Sequence, residues 1–339
     1  MTDSTAPTTQ SRAGAPASAN PSHGPAGPRK ASYPKRFRHT YGSSRRSGGL
    51  AALLLLPAAV VVFGLVTYPV LRTVWLSFNR VLSPMPTAPV QMVGFQNFIN
   101  AFTDSDLIAA TGHTIYFTLV STAAEIVFGV LLGQLMAQKL RFRWLLRAAI
   151  LMPWALPTVV SASMWRYLLN ADYGPINALL TQLGIIGSYR SWLGTPTSAM
   201  NMIIIADVWK NTSIAAFFVL AGLAVIPNEL REAASVDGAG AVRRFFSITL
   251  PLLRPVIMVV LVLRTIEAFK VFDIVYVMTR GGPSNGTQTV AVYAYQTAFS
   301  NQNFGYGSAI ALLIVVVVLL LAVAYIRMLS TGGTSDGGR

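Results

Sequence analysis

Six long apolar segments, separated by shorter polar stretches, dominate the pattern along the chain. Each is about as long as, or longer than, the ~20 residues that a helix needs to cross a bilayer. Because isolated strands would leave backbone groups unpaired in lipid, the segments are predicted to be transmembrane helices and the fold to be all-α. Their predicted bounds are 49–71, 111–138, 145–168, 199–226, 252–279 and 304–328.

The first 48 residues have a different pattern. They are rich in Ser, Pro, Ala, Thr and Gly, which predicts a disordered tail, since such a stretch cannot bury a core. Its end, RKASYPKRFRHTYGSSRR, is strongly basic, and such a segment either meets anionic lipid or only sets the topology. A polar lead of this length exceeds a typical signal-peptide n-region, so the first apolar segment is predicted to be a retained span.

The positions of Lys and Arg predict an orientation. With the N-terminus inside, most of them fall on the cytoplasmic side, against Arg72, Arg80, Arg190 and Arg280 outside. This asymmetry follows the positive-inside rule. The chain is therefore predicted to be a multi-pass cell-membrane protein with a cytoplasmic tail at 1–48, a six-helix domain at 49–328 and a short cytoplasmic C-terminal tail at 329–339.

Composition excludes several classes of protein. Apolar residues make up 53% of the 339 residues and charged ones 11%, which is too apolar for an ordinary soluble domain. The net charge of +14 is not gathered on one face, so no nucleic-acid partner is expected. The chain has no cysteine, and its three histidines, His23, His39 and His113, have no metal-ligand spacing, so neither a disulfide nor a metal site is predicted.

A charged insert, residues 228–250, separates the fourth and fifth apolar segments. Leu230 to Ser235 are good helix formers, Pro227 and Asn228 can begin a helix, and Gly238 with Gly240 offers a turn. Two short cytoplasmic helices joined by a glycine bend are predicted. By composition the insert is either a docking element for a partner or a solvated amphipathic loop.

The amino-acid sequence of the insert resembles that of a known family. EAASVDGAGAVRRFFSITLPLLRP is similar to the E-A-A loop of permease subunits in binding-protein-dependent ATP-binding-cassette (ABC) importers, in the maltose and glycerol-phosphate permease branch. DVWKNTSIAAFFVLAGLAVIP, FDIVYVMTRGGPSNGTQT and VGFQNFINAF resemble the same branch, and the four motifs stand in the family's order. The resemblance covers about residues 49–328 and implies the type I importer permease fold.

The resemblance also implies partners. In the family the E-A-A loop is the coupling helix, held in a cleft of the cytoplasmic ATPase, and the loop after the fifth span faces an external sugar-binding lipoprotein. A second permease completes a heterodimer, and the ATPase dimer binds ATP and Mg. This chain has no G-x-x-x-x-G-K-[ST] loop, so it is expected to hold no cofactor itself. The residues that match the coupling motif are Glu232, Ala233, Ala234, Asp237, Gly238 and Ala239.

Charged residues inside the fourth and fifth segments form two helical stripes. At positions i, i+3, i+4 and i+7 they fall on one face of each helix. Either neutralising pairs merely tie the helices together, or the stripes line a polar cavity suited to hydroxyl groups, which both donate and accept. The stripes are Asp207, Lys210, Asn211 and Ile214 in the fourth segment, and Arg264, Glu267, Ala268 and Val271 in the fifth. Lys270 and Asp273 leave the stripe and are assigned to packing or a gate.

The resemblance places sugar contacts on these stripes and on the third segment. Trp154 is expected to stack on a sugar ring and Thr158 to bond a hydroxyl. The charged stripe positions depart from the maltose pattern, and DVWKNT with RTIEAFKVFD looks closer to the trehalose permeases of actinobacteria. A disaccharide such as trehalose is therefore the predicted solute. The alternative is glycerol 3-phosphate or another polyol, with Lys210 and Arg264 receiving the phosphate.

The third span and the loop after the fifth span each contain turn-forming or helix-breaking residues. Pro153 and Pro157 predict a kink in the third span, which either moves or is a static bend. The TRGGPSNGTQT loop is a cluster of turn formers on the predicted outer face.

A secondary transporter would use Asp207, Glu267 or Asp273 to couple an ion, but no internal repeat is found. A membrane anchor or sensor scaffold would need no cavity.

Overall fold

The computed structural model describes residues 45–82 and 90–332. The predicted tail at 1–48 therefore lies almost wholly outside the described residues, as does most of the tail at 329–339. The packing described below is that of the unit Ala59–Arg339. The helices are α1 (Arg45–Val61), α2 (Tyr68–Ser77), α3 (Gln96–Thr103), α4 (Ser105–Ala137), α5 (Arg143–Ala155), α6 (Thr158–Leu168), α7 (Pro175–Gln182), α8 (Pro196–Val225), α9 (Asn228–Val236), α10 (Ala241–Arg244), α11 (Leu250–Phe269), α12 (Asp273–Met278), α13 (Val290–Tyr295) and α14 (Phe304–Gly332).

Strand structure is confined, in the described part of the chain, to one two-stranded ribbon. Strands β1 (Asn79–Arg80) and β2 (Gln91–Met92) pair antiparallel just after α2. The amide of Asn97 in α3 donates to the carbonyl oxygens of Ser77 and Asn79, at 2.8 and 3.1 Å, and so fixes this corner. The all-α prediction is confirmed.

Within the described residues, five helical stretches are long and apolar enough to cross a membrane. The pair α5 and α6 supplies a sixth if it counts as one span. The stretches are Leu53–Ser77, Ser105–Ala137, Pro196–Val225, Ala241–Phe269 and Phe304–Met328. Short turns with π-helical hydrogen bonding join α1 to α2 and α10 to α11, which makes each pair one continuous helix.

Two predicted spans differ from the structure. The third was predicted as one kinked helix over 145–168, but α5 and α6 meet at 96°. Pro157 has no N–H to continue the hydrogen bonding of α5, and Leu156 before it is extended, so the chain starts a new helix at Thr158. The fifth was predicted over 252–279, whereas α11 ends at Phe269 and a separate α12 follows.

Helix α8 is the most buried of the long helices, and it packs closely along α4. Small residues make the approach close: Gly129 faces Ala215, and Gly133 faces Ala216 and Val219. In lipid, helices associate chiefly through such tight packing, because apolar surface gains nothing by leaving lipid tails. By contrast, the most apolar part of the stretch Leu53–Ser77 has no buried residue, and within the unit this stretch packs against α14.

Candidate functional site

A cavity of about 370 Å³ opens where α5, α6, α8, α11 and α12 meet. All ten residues predicted to contact the solute line it, from Trp154 and Thr158 to the two stripes of α8 and α11. Four residues outside the predicted set join them: Lys270, Phe272, Asp273 and Ile274. Lys270 and Asp273, which the sequence assigned to packing or a gate, are exposed and belong to the cavity wall.

Helical spacing explains most of this arrangement. The stripe on α8 lies within a regular helix, so its four side chains share one face. On α11 the helix ends at Phe269, and Val271 reaches the cavity through the turn that follows, with its N–H bonded to the carbonyl of Ala268 at 3.2 Å. The ring of Trp154 is 51% exposed and therefore free to contact a solute.

The centre of the polar cluster is the guanidinium of Arg264, which is buried. Its Nε and Nη2 donate to the two carboxylate oxygens of Glu125, in the middle of α4, at 2.5 and 2.9 Å. Its Nη1 donates to Glu267 at 2.5 Å, and Nη2 lies 3.5 Å from Oδ2 of Asp207. One cation thus bridges carboxylates from three helices. Planar bidentate pairing of this kind is among the strongest polar contacts in proteins.

Sequence reasoning missed Glu125. It lies behind the cavity and not in its wall, and its exposed fraction is 0%. The signal was present: Glu125 is the only Asp, Glu, Lys or Arg between Leu107 and Gln138, in a stretch long enough to span a membrane. An isolated carboxylate at that depth is costly and implies a partner.

The pairing inside α8 also differs from the simple i,i+3 interpretation. Asp207 accepts from the amide of Asn211 at 2.8 Å through Oδ1, and its nearest cation is Arg264. Its Oδ2 is buried and receives no hydrogen bond from the described residues. That oxygen faces the guanidinium of Arg264 at 3.5 Å, so Asp207 and Arg264 are paired by charge without a hydrogen bond.

Lys210 holds the end of the broken third span. Its ammonium donates to the carbonyl oxygen of Trp154 at 3.4 Å, and one turn further along α8 the hydroxyl of Ser213 donates to that of Ile150 at 2.5 Å. A cation at a helix C-terminus is favourable because the helix dipole is negative there. The break between α5 and α6 is thus tied to the same helix that carries the Asp207 stripe.

The insert 228–250 was predicted as two short helices joined by a glycine bend. The structure has the bend and one separate short helix, α9, whereas α10 continues through a π-helical turn into α11. Helix α9 ends in a turn at Asp237 and Gly238, where Gly238 has φ +78°, and α10 follows. The left-handed backbone explains this glycine, since a side chain there would meet no neighbouring atom. Glu232, Ala233 and Asp237 are exposed. Phe245, just after α10, packs on the cluster of Val130, Val219, Leu223 and Leu253.

Asp104 caps the N-terminus of α4 and anchors it to neighbouring helices. Its Oδ1 caps the backbone N–H groups of Asp106 and Leu107, and Oδ2 accepts from the hydroxyls of Tyr293 and Tyr306 at 2.7 and 2.6 Å. Burial acts to raise the pKa of Asp104, but the hydrogen bonds from the two tyrosines and the capped amides outweigh it, so the pKa lies below its ordinary value. The carboxylate is therefore charged and ties α4 to α13 and α14.

The TRGGPSNGTQT loop is more ordered than a simple connector. Thr287 is buried, and its hydroxyl donates to the carbonyl of Gly282 at 2.7 Å. Gly286 packs against Pro196 at the start of α8. The exposed tip consists of Ser284 and Asn285, both with positive φ. The loop is thus a rigid turn fixed against the beginning of α8.

Comparison with known proteins gives a family match and relatives of similar length. The family model "binding-protein-dependent transport system inner membrane component" matches residues 125–331. The trehalose/maltose transport system permease protein MalF of Thermococcus litoralis is 41% identical over 283 residues, covering 84% of this chain and 94% of that protein. The sulfoquinovosyl glycerol transport system permease protein SmoG of Agrobacterium fabrum is 39% identical, covering 83% and 91%.

An actinobacterial relative and a solved structure extend the comparison. The trehalose transport system permease protein SugA of Mycobacterium tuberculosis is 34% identical over 300 residues, covering 88% of this chain and 93% of that protein. The crystal structure of a bacterial ABC transporter that imports the acidic polysaccharide alginate matches with a TM-score of 0.73 at 21% identity, covering 84% of this chain and 96% of that chain. At this identity the match speaks for the fold alone.

Proposed function

Because the chain belongs to the family of inner-membrane components of binding-protein-dependent transport systems, it is a permease subunit of an ABC sugar importer, and we propose that its solute is a neutral disaccharide such as trehalose. It is not an enzyme. Family membership rules out the two other functions that the sequence left open, a secondary transporter and a membrane anchor. The finer assignments that follow belong to the same proposal.

The observation that carries the solute assignment is the cavity lined by the α8 and α11 stripes. Its wall combines the carboxylates of Asp207 and Glu267, the amide of Asn211 and the hydroxyl of Thr158. A sugar hydroxyl both donates and accepts, so this mixture suits it. The exposed ring of Trp154 offers an apolar surface for a sugar ring. Two relatives with trehalose in their names support a disaccharide.

The charge balance argues against glycerol 3-phosphate. Three carboxylates, those of Glu125, Asp207 and Glu267, surround Arg264, so its guanidinium is already neutralised. Lys210 is directed to the carbonyl of Trp154. Lys270 in the wall is balanced by Asp273, so carboxylates remain in excess of cations, and like charges at such distances repel a phosphate. The polar wall therefore favours a solute without charge.

The orientation and the partners follow from the family and from the loop charges. Both termini and the insert 228–250 face the cytoplasm, in accordance with the positive-inside rule. A second permease completes the translocation pathway, and an ATPase dimer that binds ATP and Mg contacts the insert. A solute-binding lipoprotein docks on the side of the rigid TRGGPSNGTQT turn. One solved ABC importer is a complex with a pentasaccharide-bound periplasmic protein.

Force from the ATPase enters through the insert, which we call the coupling hairpin. Its contact residues are Glu232, Ala233, Ala234, Asp237, Gly238 and Ala239. The small side chains allow close approach, and the exposed carboxylates of Glu232 and Asp237 supply the charge that a partner can pair. Phe245, packed on the cluster that includes Leu223 of α8, links the hairpin mechanically to the helix that lines the cavity. Movement of the hairpin thus changes the side of the membrane to which the cavity opens.

Uptake measurements test the solute. In a strain that lacks this gene, uptake of labelled trehalose or maltose is expected to fall to background, and the restored gene should bring it back. Uptake of labelled glycerol 3-phosphate should be the same in both strains, because the carboxylates at the cavity outnumber the cations and repel a phosphate. Loss of glycerol 3-phosphate uptake with unchanged disaccharide uptake would contradict the assignment.

Reversal of the charge at Glu232 tests the coupling hairpin. Glu232→Arg is expected to lower sugar-stimulated ATP hydrolysis by the reconstituted importer by about tenfold or more, because a misplaced charge at a protein interface is costly. The matched control is Glu229→Arg, which makes the same charge change at an exposed position of α9 outside the motif. Equal hydrolysis by both variants would place the ATPase contact elsewhere.

A further inference from the structure

Glu125 contacts the solute cavity only through Arg264. It lies outside the cavity wall, wholly buried in the middle of α4, while Arg264 lies in the wall. Both of its oxygens accept hydrogen bonds from the guanidinium, at 2.5 and 2.9 Å. Because an arginine side chain is always charged in proteins, Glu125 is its buried counter-ion. A lone carboxylate in a membrane helix that is paired in this way points to a functional role.

The pairing fixes the direction of the guanidinium. Nε and Nη2 form one edge of the planar group, and Glu125 occupies that edge. The remaining Nη1 is consequently directed at Glu267, whose side chain is 53% exposed to the cavity. A guanidinium held along one edge has little freedom to rotate. Glu125 thus determines where Arg264 presents its remaining donors.

The pairing also sets the charge that a solute meets. With Glu125 present, negative charge is in excess by one, because four carboxylates face three cations. The carboxylates are those of Glu125, Asp207, Glu267 and Asp273, and the cations are Lys210, Arg264 and Lys270. Without the charge of Glu125 the two signs would balance. Glu267 would then be drawn more strongly to Arg264 and become a poorer acceptor for hydroxyl groups.

We infer that Glu125 is a positioning residue that makes the cavity selective for uncharged sugars. It neutralises Arg264 from behind, so that Glu267, which accepts one hydrogen bond from Arg264, keeps its exposed carboxylate available to solute hydroxyls, and the excess negative charge repels anions. This inference rests on the proposed function, because it takes the cavity to be the sugar site. It adds a residue on α4 that has no contact with the solute.

Direct binding to the assembled importer in lipid nanodiscs tests this inference. Without ATP and without the solute-binding protein, the probes reach the cavity unselected. The probes are trehalose, maltose and trehalose 6-phosphate. For Glu125→Gln, disaccharide affinity is expected to fall by about tenfold, and trehalose 6-phosphate should bind about tenfold more tightly than to the wild type. Glu125→Asp keeps the charge and should retain the preference for the uncharged sugar.

The matched control is Thr122→Val, one turn away on α4. Thr122 is buried, its hydroxyl has no hydrogen-bond partner in the described residues, and the replacement has the same shape without a charge change. This variant should bind as the wild type does. Glu125→Gln is expected to assemble, because Arg264 keeps Glu267 and Asp207 as counter-ions.

The outcomes separate this inference from the proposed function. If the wild-type importer binds neither disaccharide, the solute assignment fails. If the wild type binds a disaccharide but Glu125→Gln has the same selectivity, only the role of Glu125 is refuted. The role of Glu125 is also refuted if Glu125→Gln and Glu125→Asp both lose all ligands. It is refuted as well if Glu125→Gln does not assemble and Glu125→Asp has lost the preference for the uncharged sugar. A purely structural residue would behave in either of these ways.

Discussion

Arg264→Met is expected to leave little assembled permease. The replacement is close in length but removes the one cation that contacts Glu125, Asp207 and Glu267. Glu125 would then be a wholly buried carboxylate without a counter-ion, and breaking such a pair costs about 3–5 kcal/mol. Since domains are stable by only about 5–15 kcal/mol, a large fraction of the chain should unfold or be degraded. The measurement is the amount of chain that copurifies with the partner subunits from membranes, together with its thermal unfolding.

A second change should restore folding without restoring transport. In Arg264→Met with Glu125→Gln the charge of Glu125 is gone, and replacing a buried ion pair by uncharged groups of similar size is often neutral for stability. Asp207 loses its nearest cation but keeps the hydrogen bond from Asn211. Assembly should recover, while uptake should stay absent because the cavity carboxylates have lost their partner. Glu267→Gln, at a half-exposed side chain, should assemble normally. Poor assembly of the double variant, equal to that of Arg264→Met, would show that packing and not charge explains the loss.

Gly133→Leu is expected to separate the two most closely packed helices. A side chain at Gly133 would meet Val219 Cγ1 at 2.6 Å and the carbonyl oxygen of Ala216 at 2.9 Å. Because a helix backbone cannot yield as a flexible side chain can, even Cβ forces α4 and α8 apart. Overpacking of this kind costs about 1–3 kcal/mol, and the leucine adds three further carbons. Lower thermal stability and weaker sugar binding together are the expected result.

Gly112→Leu is the control for helix propensity and bulk. Gly112 is on the same helix, is exposed, and has no atom within 4 Å of an added Cβ. Its replacement should leave stability unchanged or slightly raised, because leucine is the better helix former. Equal destabilisation by both variants would mean that the close contact of α4 and α8 contributes little to the fold.

The long helices were largely predictable, whereas the breaks within them were less so. Hydropathy over about 20 residues located each apolar stretch but not its ends: the second span, predicted over 111–138, is Ser105–Ala137. The third span was predicted as kinked because Pro153 and Pro157 are visible in the sequence, but the 96° angle depends on what packs on both sides. The end of α11 at Phe269 has no strong local signal, since no glycine or proline follows directly.

The candidate site shows the same division. Spacing of three and four residues put Asp207 with Lys210 and Asn211, and Arg264 with Glu267, on shared helix faces, which is a property of any α-helix. The partners of those charges lie 139 residues away for Arg264 and Glu125, and 56 for Lys210 and Trp154. Sequence reasoning paired neighbours along one helix. The structure contains the pair Arg264 and Glu267, but it adds Glu125 and Asp207 from two other helices and does not pair Asp207 with Lys210.

By itself, the sequence determined an all-α membrane protein, the place of the hairpin between the fourth and fifth spans, and the side chains that face one another along each helix. These properties depend on local hydrogen bonding and on the cost of placing polar groups in lipid. The tertiary structure decided that the two stripes share one cavity, that Glu125 neutralises Arg264, and that Lys210 caps the broken third span. The reason is physical: which helix supplies the counter-ion of a buried charge depends on how closely α4, α8 and α11 approach, and small residues one or more turns from the charges set that distance.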